Sequence, residues 1–243
     1  MSLTEIKNPS ISNESNCSTP TLPPAVIIGE GGRIQPDIIV DDDNLAEFDV
    51  DYDGADFYES LEGMRVQIND ALVLSPTETL NEGKKDEMQL IYVLADNGKR
   101  ASMRSARGGV LLRPVDVNPE RIAVIYKNGP KDINAGDKLK EPLIGVLTYD
   151  TKGNRYQVET DSVQVSAGSL TPEHNTSKAN QGELSIATFN VENLLPKDQK
   201  FKKLSQQIVF NLSLPDIIAL EEVGDNSGKK DDSVVKADQT YQE

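Results

Sequence analysis

The chain has 243 residues, enough for one large domain or two modest ones with a buried core. Its 40 Asp and Glu against 25 Lys and Arg leave a formal charge of -15, which opposes nonspecific nucleic-acid binding at long range but leaves room for a local basic groove. A single cysteine, Cys17, excludes an intrachain disulfide framework, and no apolar run approaches the ~18 residues of a membrane-spanning helix.

Residues 1–55 are rich in Ser, Asn, Pro, Gly and Asp, with two short apolar runs, Ala25–Ile28 and Ile38–Val40. This composition predicts an acidic, largely irregular arm carrying a strand or two. The first residues, Met1 to Lys7, lack the basic and apolar regions of an export signal, so none is expected in the chain as it stands. Within the arm, Asp49, Asp51 and Asp53 alternate and Gly54 follows, as in a calcium loop. Such a loop wants Glu at its twelfth position, which is Ser60 here, with Glu59 one residue early. Two readings stand: a calcium loop and a solvated acidic turn. Phe57, Tyr58 and Leu61 are expected to seat the following β structure on the arm.

Residues 56–166 change to short runs of alternating or β-branched apolar residues separated by Gly, Asn, Asp and Pro. The expected strands are Met64–Ile68, Ala71–Leu74, Met88–Leu94, Val110–Leu112, Ile122–Tyr126, Leu143–Tyr149 and Tyr156–Val163. Asp96-Asn97-Gly98 and Lys152-Gly153-Asn154 are turn material. Five to seven strands at this spacing predict a small closed or nearly closed barrel of the OB-like kind. Lys99, Arg100, Arg104, Arg107 and Arg113 form a local run of positive charge with no acid between Asn97 and Arg113. It reads either as a phosphate-tracking, nucleic-acid-binding patch or as a solvated loop; tyrosines 92, 126, 149 and 156 are the available stacking platforms.

Residues 167–182 read as a polar linker, and they hold the only histidine, His174, placed where a catalytic imidazole would lack a rigid mount. Residues 183–243 predict a strand at Leu184–Phe189, a helix in Pro196–Leu212 with Phe201, Leu204 and Ile208 facing the core, and a strand at Asp216–Leu220. A right-handed crossover makes the two strands parallel, so Asn190 and Glu222, at their carboxyl ends, are expected to converge. A carboxylate beside an amide at such an edge suits a hard cation such as Mg²⁺ or Mn²⁺, which would polarise a phosphate oxygen. Solvation of strand ends is the plainer alternative.

Thr188-Phe189-Asn190-Val191-Glu192-Asn193 and Pro215-Asp216-Ile217-Ile218-Ala219-Leu220-Glu221-Glu222-Val223 resemble the first two motifs of the endonuclease/exonuclease/phosphatase superfamily. That family places Gln-Glu after the second strand; Glu221 stands where the Gln is expected, and Glu222 takes the metal-ligand position. Upstream, Asp56–Val66, Gly108-Gly109, Asp116–Ile122 and Gly136-Asp137 resemble the large secreted bacterial nucleases that set an OB-type module before the phosphodiesterase domain.

The resemblance implies a mainly β chain, an OB-like small barrel followed by the truncated start, a βαβ unit, of an α/β four-layer sandwich phosphodiesterase domain. It also implies extracellular location, a divalent cation (Mg or Mn, with Ca as a further candidate), and a nucleic-acid substrate, DNA rather than RNA. Catalytic roles fall on Asn190 and Glu222, and the metal on Glu222. Alternatives are a noncatalytic binding module for nucleic acid or an extracellular polymer, and a phosphatase or phospholipase of the same superfamily. Only 21 residues follow Glu222, so the later catalytic His and Asp motifs are expected to be missing and turnover by this chain alone negligible.

Overall fold

The structure is a computed structural model that describes residues 7, 8, 10, 21–175 and 179–243; Cys17 lies outside the described residues. Its contacts divide it into two compact units, 1–170 and 171–243, with the division inside the polar 167–182 segment. The architecture is mainly β, and among the described residues no helix is long and apolar enough to cross a membrane.

The first unit contains one mixed ten-stranded sheet. Its strands are β1 (Val26–Ile28), β2 (Arg65–Ile68), β3 (Leu72–Val73), β4 (Glu78–Leu80), β5 (Met88–Leu94), β6 (Ile122–Asn128), β7 (Lys138–Leu139), β8 (Leu143–Asp150), β9 (Arg155–Ser162) and β10 (Val165–Ser166). The order is β1-β2-β8-β9-β6-β5-β3-β7-β10, with β4 on β5. Pairing is antiparallel except for β1 on β2 and β6 on β9, where Val124 stands opposite Val158. Asp70 adopts a left-handed φ of 44° between β2 and β3, so this stretch of chain turns from its partner β8 to its partner β5.

The two-residue alternation read in the sequence sorts the side chains. Ile91 and Val93 of β5, with Ile122, Val124 and Tyr126 of β6, enter the main core beside Val66, Ile68, Leu147 and Val158. The intervening Leu90, Ala123 and Ile125 form a second, smaller cluster on the other face. A short helix, α1 (Gly54–Glu59), adds Phe57 and Tyr58 to the main core, and Leu61 follows them in. Gly54 starts it where a side chain could not fit, because an added Cβ would lie 2.6 Å from Pro119 Cβ.

One expected strand does not form, and only the first of the arm's two apolar runs is a strand. Val110–Leu112 makes only an isolated bridge, Arg104 to Val110, and Leu112 is 74% exposed. Ile38–Val40 is irregular because its carbonyls serve the start of α1: Gly54 N–H donates to Ile39 O at 3.0 Å and Ala55 N–H to Val40 O at 2.9 Å.

In the second unit, β11 (Ile186–Leu194) and β12 (Ile217–Val223) pair in parallel, with Phe189 opposite Leu220 and Asn190 opposite Glu221. Between them in sequence run α2 (Phe201–Gln206) and a π-helical turn, Gln207–Asn211. Phe201, Leu204 and Ile208 are half-buried and line one cavity with Val191, Leu194, Leu220 and Val223, so the expected core face of the helix does look toward the strands. The other side is open: Ile186 is 69% and Ile217 50% exposed. A third short helix, α3 (Asp238–Gln242), buries Thr240, whose hydroxyl donates to Gly224 O.

Candidate functional site

The parallel pair brings Asn190 and Glu222 together. Asn190 Nδ2 donates to Glu222 Oε1 at 2.6 Å, and Asn190 Oδ1 accepts the Glu192 N–H at 2.8 Å. Both ends of the amide are therefore fixed, and the carboxylate keeps Oε2 for another partner. Both side chains are exposed. The local backbone bends to present them: β11 slips register between Asn190 and Leu194, and Glu192, Asn193 and Glu222 have φ of 53°, 54° and 60°. Left-handed conformations at non-glycine residues cost on the order of 1 kcal/mol and gather at functional positions. The strands are latched at their other end by Asp216, whose Oδ2 accepts from the Ser185 N–H and hydroxyl at 2.8 and 2.7 Å. Those bonds hold the Asp216 carboxyl below its usual range.

Lys200 and Lys203 line a cleft of about 260 Å³ together with Phe189 and Asn190. Lys200 Nζ donates to Glu192 O at 2.9 Å. The sequence reading did not single out these lysines, although Lys200 at the N-cap of α2 and Lys203 within it are three residues apart, a spacing that sets them on one side. Glu222 does not line this cleft; Asn190 does, and its amide joins the two through its bond to Glu222, so a phosphate attracted by the ammonium groups would lie beside the Asn190 amide. Among the described residues, no cluster of three carboxylate, imidazole or thiol ligands includes Glu222. His174 is exposed, with Nδ1 3.2 Å from Phe210 O, and contributes nothing to this cleft.

In the first unit, the cationic stretch is largely committed to its own loop. Arg104 donates to Gly108 O at 2.9 and 2.7 Å and to Asn97 O at 3.0 Å. Arg113 pairs with the fully buried Asp116 at 2.5 Å, and Lys99 with Glu30 at 3.1 Å. Burial alone would raise the Asp116 carboxyl, but Ser102, Arg113 and the Asn118 N–H together hold it below its usual range. Arg100 and Arg107 stay exposed. Arg104→Ala is expected to lower unfolding stability by about 1–2 kcal/mol, because three carbonyl contacts close the loop, and Arg100→Ala to change it by less than about 0.5 kcal/mol. Urea denaturation of both variants checks this.

The acidic stretch is regrouped relative to its sequence spacing. Asp53 ends the loop at the N-cap position of α1, without a side-chain capping bond, and the backbone turns at Asp49, whose carbonyl accepts from the Tyr52 and Asp53 N–H groups. Asp51 consequently stays exposed and apart. Two carboxylate triads form instead, Asp41-Asp43-Asp53 and Asp49-Asp53-Asp56, each with oxygens within 4.8 Å of one another.

The first unit is a mixed β-sheet module with a main buried core and a smaller cluster on the other face, and the second presents an amide-carboxylate pair at the end of parallel strands. The chain belongs to the domain family DUF8508, a domain of unknown function, which matches residues 27–168 and so covers the sheet of the first unit. No curated protein and no solved structure matches the chain.

Proposed function

We propose that the chain is part of a metal-dependent extracellular phosphodiesterase acting on nucleic acid, with DNA as the favoured substrate. In this reading β11, α2 and β12 are the opening βαβ unit of the phosphodiesterase domain, and the first unit is an OB-like module. The observation that carries it is the 2.6 Å hydrogen bond from Asn190 to Glu222, which joins the two motif residues of the resemblance at one strand edge. Glu222 offers Oε2 to Mg²⁺ or Mn²⁺, and Asn190 holds the carboxylate in place as an outer-shell partner. The cation polarises the phosphodiester, and Lys200 and Lys203 attract its charge. Attack on phosphorus also needs a base for the water and an acid or cation for the leaving oxygen, which these residues do not supply.

The OB-like reading of the first unit rests on its pairing order. If Arg65–Val73 is taken as one strand bent at Asp70, it meets β5 at one end and β8 at the other, and the path β5-β6-β9-β8 returns to it. Such a cycle of five strands, with β6 and β9 parallel, suits a small Greek-key barrel. That order also favours a second reading, in which the module binds a nucleic acid without cutting it, through Arg100 and Arg107.

Mn²⁺ is expected to broaden the Asn190 side-chain amide resonance. Glu222→Gln should raise the Mn²⁺ concentration needed by at least about tenfold, whereas Glu221→Gln leaves it little changed. Equal broadening in the Glu222→Gln variant would remove Glu222 as the ligand. Single-stranded DNA retained by the chain and lost on replacing Arg100 and Arg107 by alanine, with no Mn²⁺ effect at Asn190, would favour the binding module.

A further inference from the structure

We infer that the two carboxylate triads sharing Asp53 form a calcium site that pins the amino-terminal arm to the start of α1. This inference does not rest on the phosphodiesterase reading, since all its residues lie in the first unit.

Five aspartates converge there: Asp41 and Asp43 from the arm, Asp49 from the turn, Asp53 at the helix cap and Asp56 in the first turn. Asp53 is only 1% exposed. Its Oδ2 accepts the Asp42 N–H at 3.3 Å, while its Oδ1 is buried with no hydrogen-bond partner; the Asp49 Oδ1 is in the same condition. The remaining bonds are local. Asp56 Oδ2 accepts the Asp49 N–H at 2.9 Å, Asp41 Oδ1 the Leu45 N–H at 2.9 Å, and Asp43 the Ala46 and Glu47 N–H groups at 2.8 and 2.7 Å.

Among the described residues, none of the five has a lysine or arginine partner in an ion pair. Burial and the neighbouring aspartates raise both the Asp49 and Asp53 carboxyls above their usual range. A buried carboxylate oxygen without a donor is costly, and adjacent like charges add to the cost. One divalent cation removes both penalties. The donors are all hard oxygens, they come from an irregular segment, and Asp53 can bridge two triads. That suits calcium, which takes six to eight oxygens in adaptable geometry, better than magnesium, which demands a small octahedron and keeps its waters.

The whole chain, stripped with EGTA, is titrated with CaCl₂ by calorimetry and melted with and without it. One bound Ca²⁺ is expected, with a dissociation constant on the order of 10⁻⁵–10⁻³ M, and saturation should raise the melting midpoint by about 5 °C. MgCl₂ at the same concentration should raise it less.

Asp53→Asn should weaken Ca²⁺ binding by at least about tenfold while leaving stability in EGTA equal to or above that of the unsubstituted chain, because it deletes a buried, unpaired charge. If Asp53→Asn does not fold, the outward Asp41→Asn should still weaken binding severalfold, and Glu222→Gln should leave it unaltered. No calcium heat, an equal or larger response to magnesium, or affinity unchanged in both aspartate variants would overturn the site.

Discussion

Replacing Phe57 by alanine is expected to lower the unfolding free energy of the first unit by about 3–5 kcal/mol, the usual loss for deleting a buried phenyl ring that its surroundings cannot refill. Phe57 is 1% exposed and is one of the largest fully buried side chains. Its ring lies edge-on to Tyr58, with centroids 5.2 Å apart, and the Arg33 guanidinium sits 5.1 Å from its centre. These contacts tie three segments together: the arm through Arg33, helix α1 through Phe57 itself, and the sheet through the core they share with Ile28, Val66 and Leu147.

A helix of six residues has too few internal hydrogen bonds to be stable alone, so its position depends on this anchor. Urea unfolding followed by near-ultraviolet tyrosine dichroism reads the first unit, because Tyr241 is the only tyrosine outside it. A loss below about 1 kcal/mol would mean that the helix does not rely on Phe57. Phe57→Leu should recover more than half the loss by refilling most of the volume.

The same residues mark what the sequence could and could not disclose. Alternation in Met88–Leu94 and Ile122–Tyr126 was legible because each strand of a sheet with two covered faces still sends successive side chains to opposite clusters. Val110–Leu112 carries the same apolar signature, yet its neighbourhood is organised by the Arg104 guanidinium and two glycine-bearing turns, which no local pattern encodes. The convergence of Asn190 and Glu222 was legible because strand, helix and strand lengths determine which ends meet. Lys200 and Lys203 give no such signal, because lysines in and next to a helix ordinarily mark its solvated face.

The acidic arm is less legible. Alternating aspartates and a following glycine imply neighbouring side chains only if the backbone loops as a calcium loop does. Here the chain turns at Asp49 and enters a helix at Gly54, so Asp51 leaves the cluster while Asp41, Asp43 and Asp56 join it. Spacing alone does not tell which carboxylates meet, because tertiary contacts between the arm and α1 decide it.

Glu120 gave no signal at all in the sequence, and it controls the second large effect. The side chain is 1% exposed, and neither carboxylate oxygen has a hydrogen-bond partner. Burial pushes its pKa up to about 7 from 4.5; its own backbone N–H opposes this, the charges of Asp116 and Asp37 add to it, and Arg121 lowers it slightly. Tyr58, whose hydroxyl donates to Pro119 O at 3.0 Å, is raised by its own burial and then by Glu120, so the phenol offers no compensating ionisation near neutrality.

Because the folded state holds the proton more tightly than the unfolded chain, the contribution is fully present below pH 4.5 and is lost as pH rises through about 7. Integrated over that window it amounts to about 3 kcal/mol. The unsubstituted chain should therefore be less stable at pH 8 than at pH 5 by that amount from this group, and Glu120→Gln should remove that part of the difference. Asp49 and Asp53 shift in the same direction, but they are common to both proteins and cancel in the comparison. At pH 8 the glutamine variant is expected to be the more stable, since an amide can occupy the site without a charge to bury. Parallel stability profiles for the two proteins between pH 5 and 8 would show that Glu120 ionises in the folded chain as it does in the unfolded one.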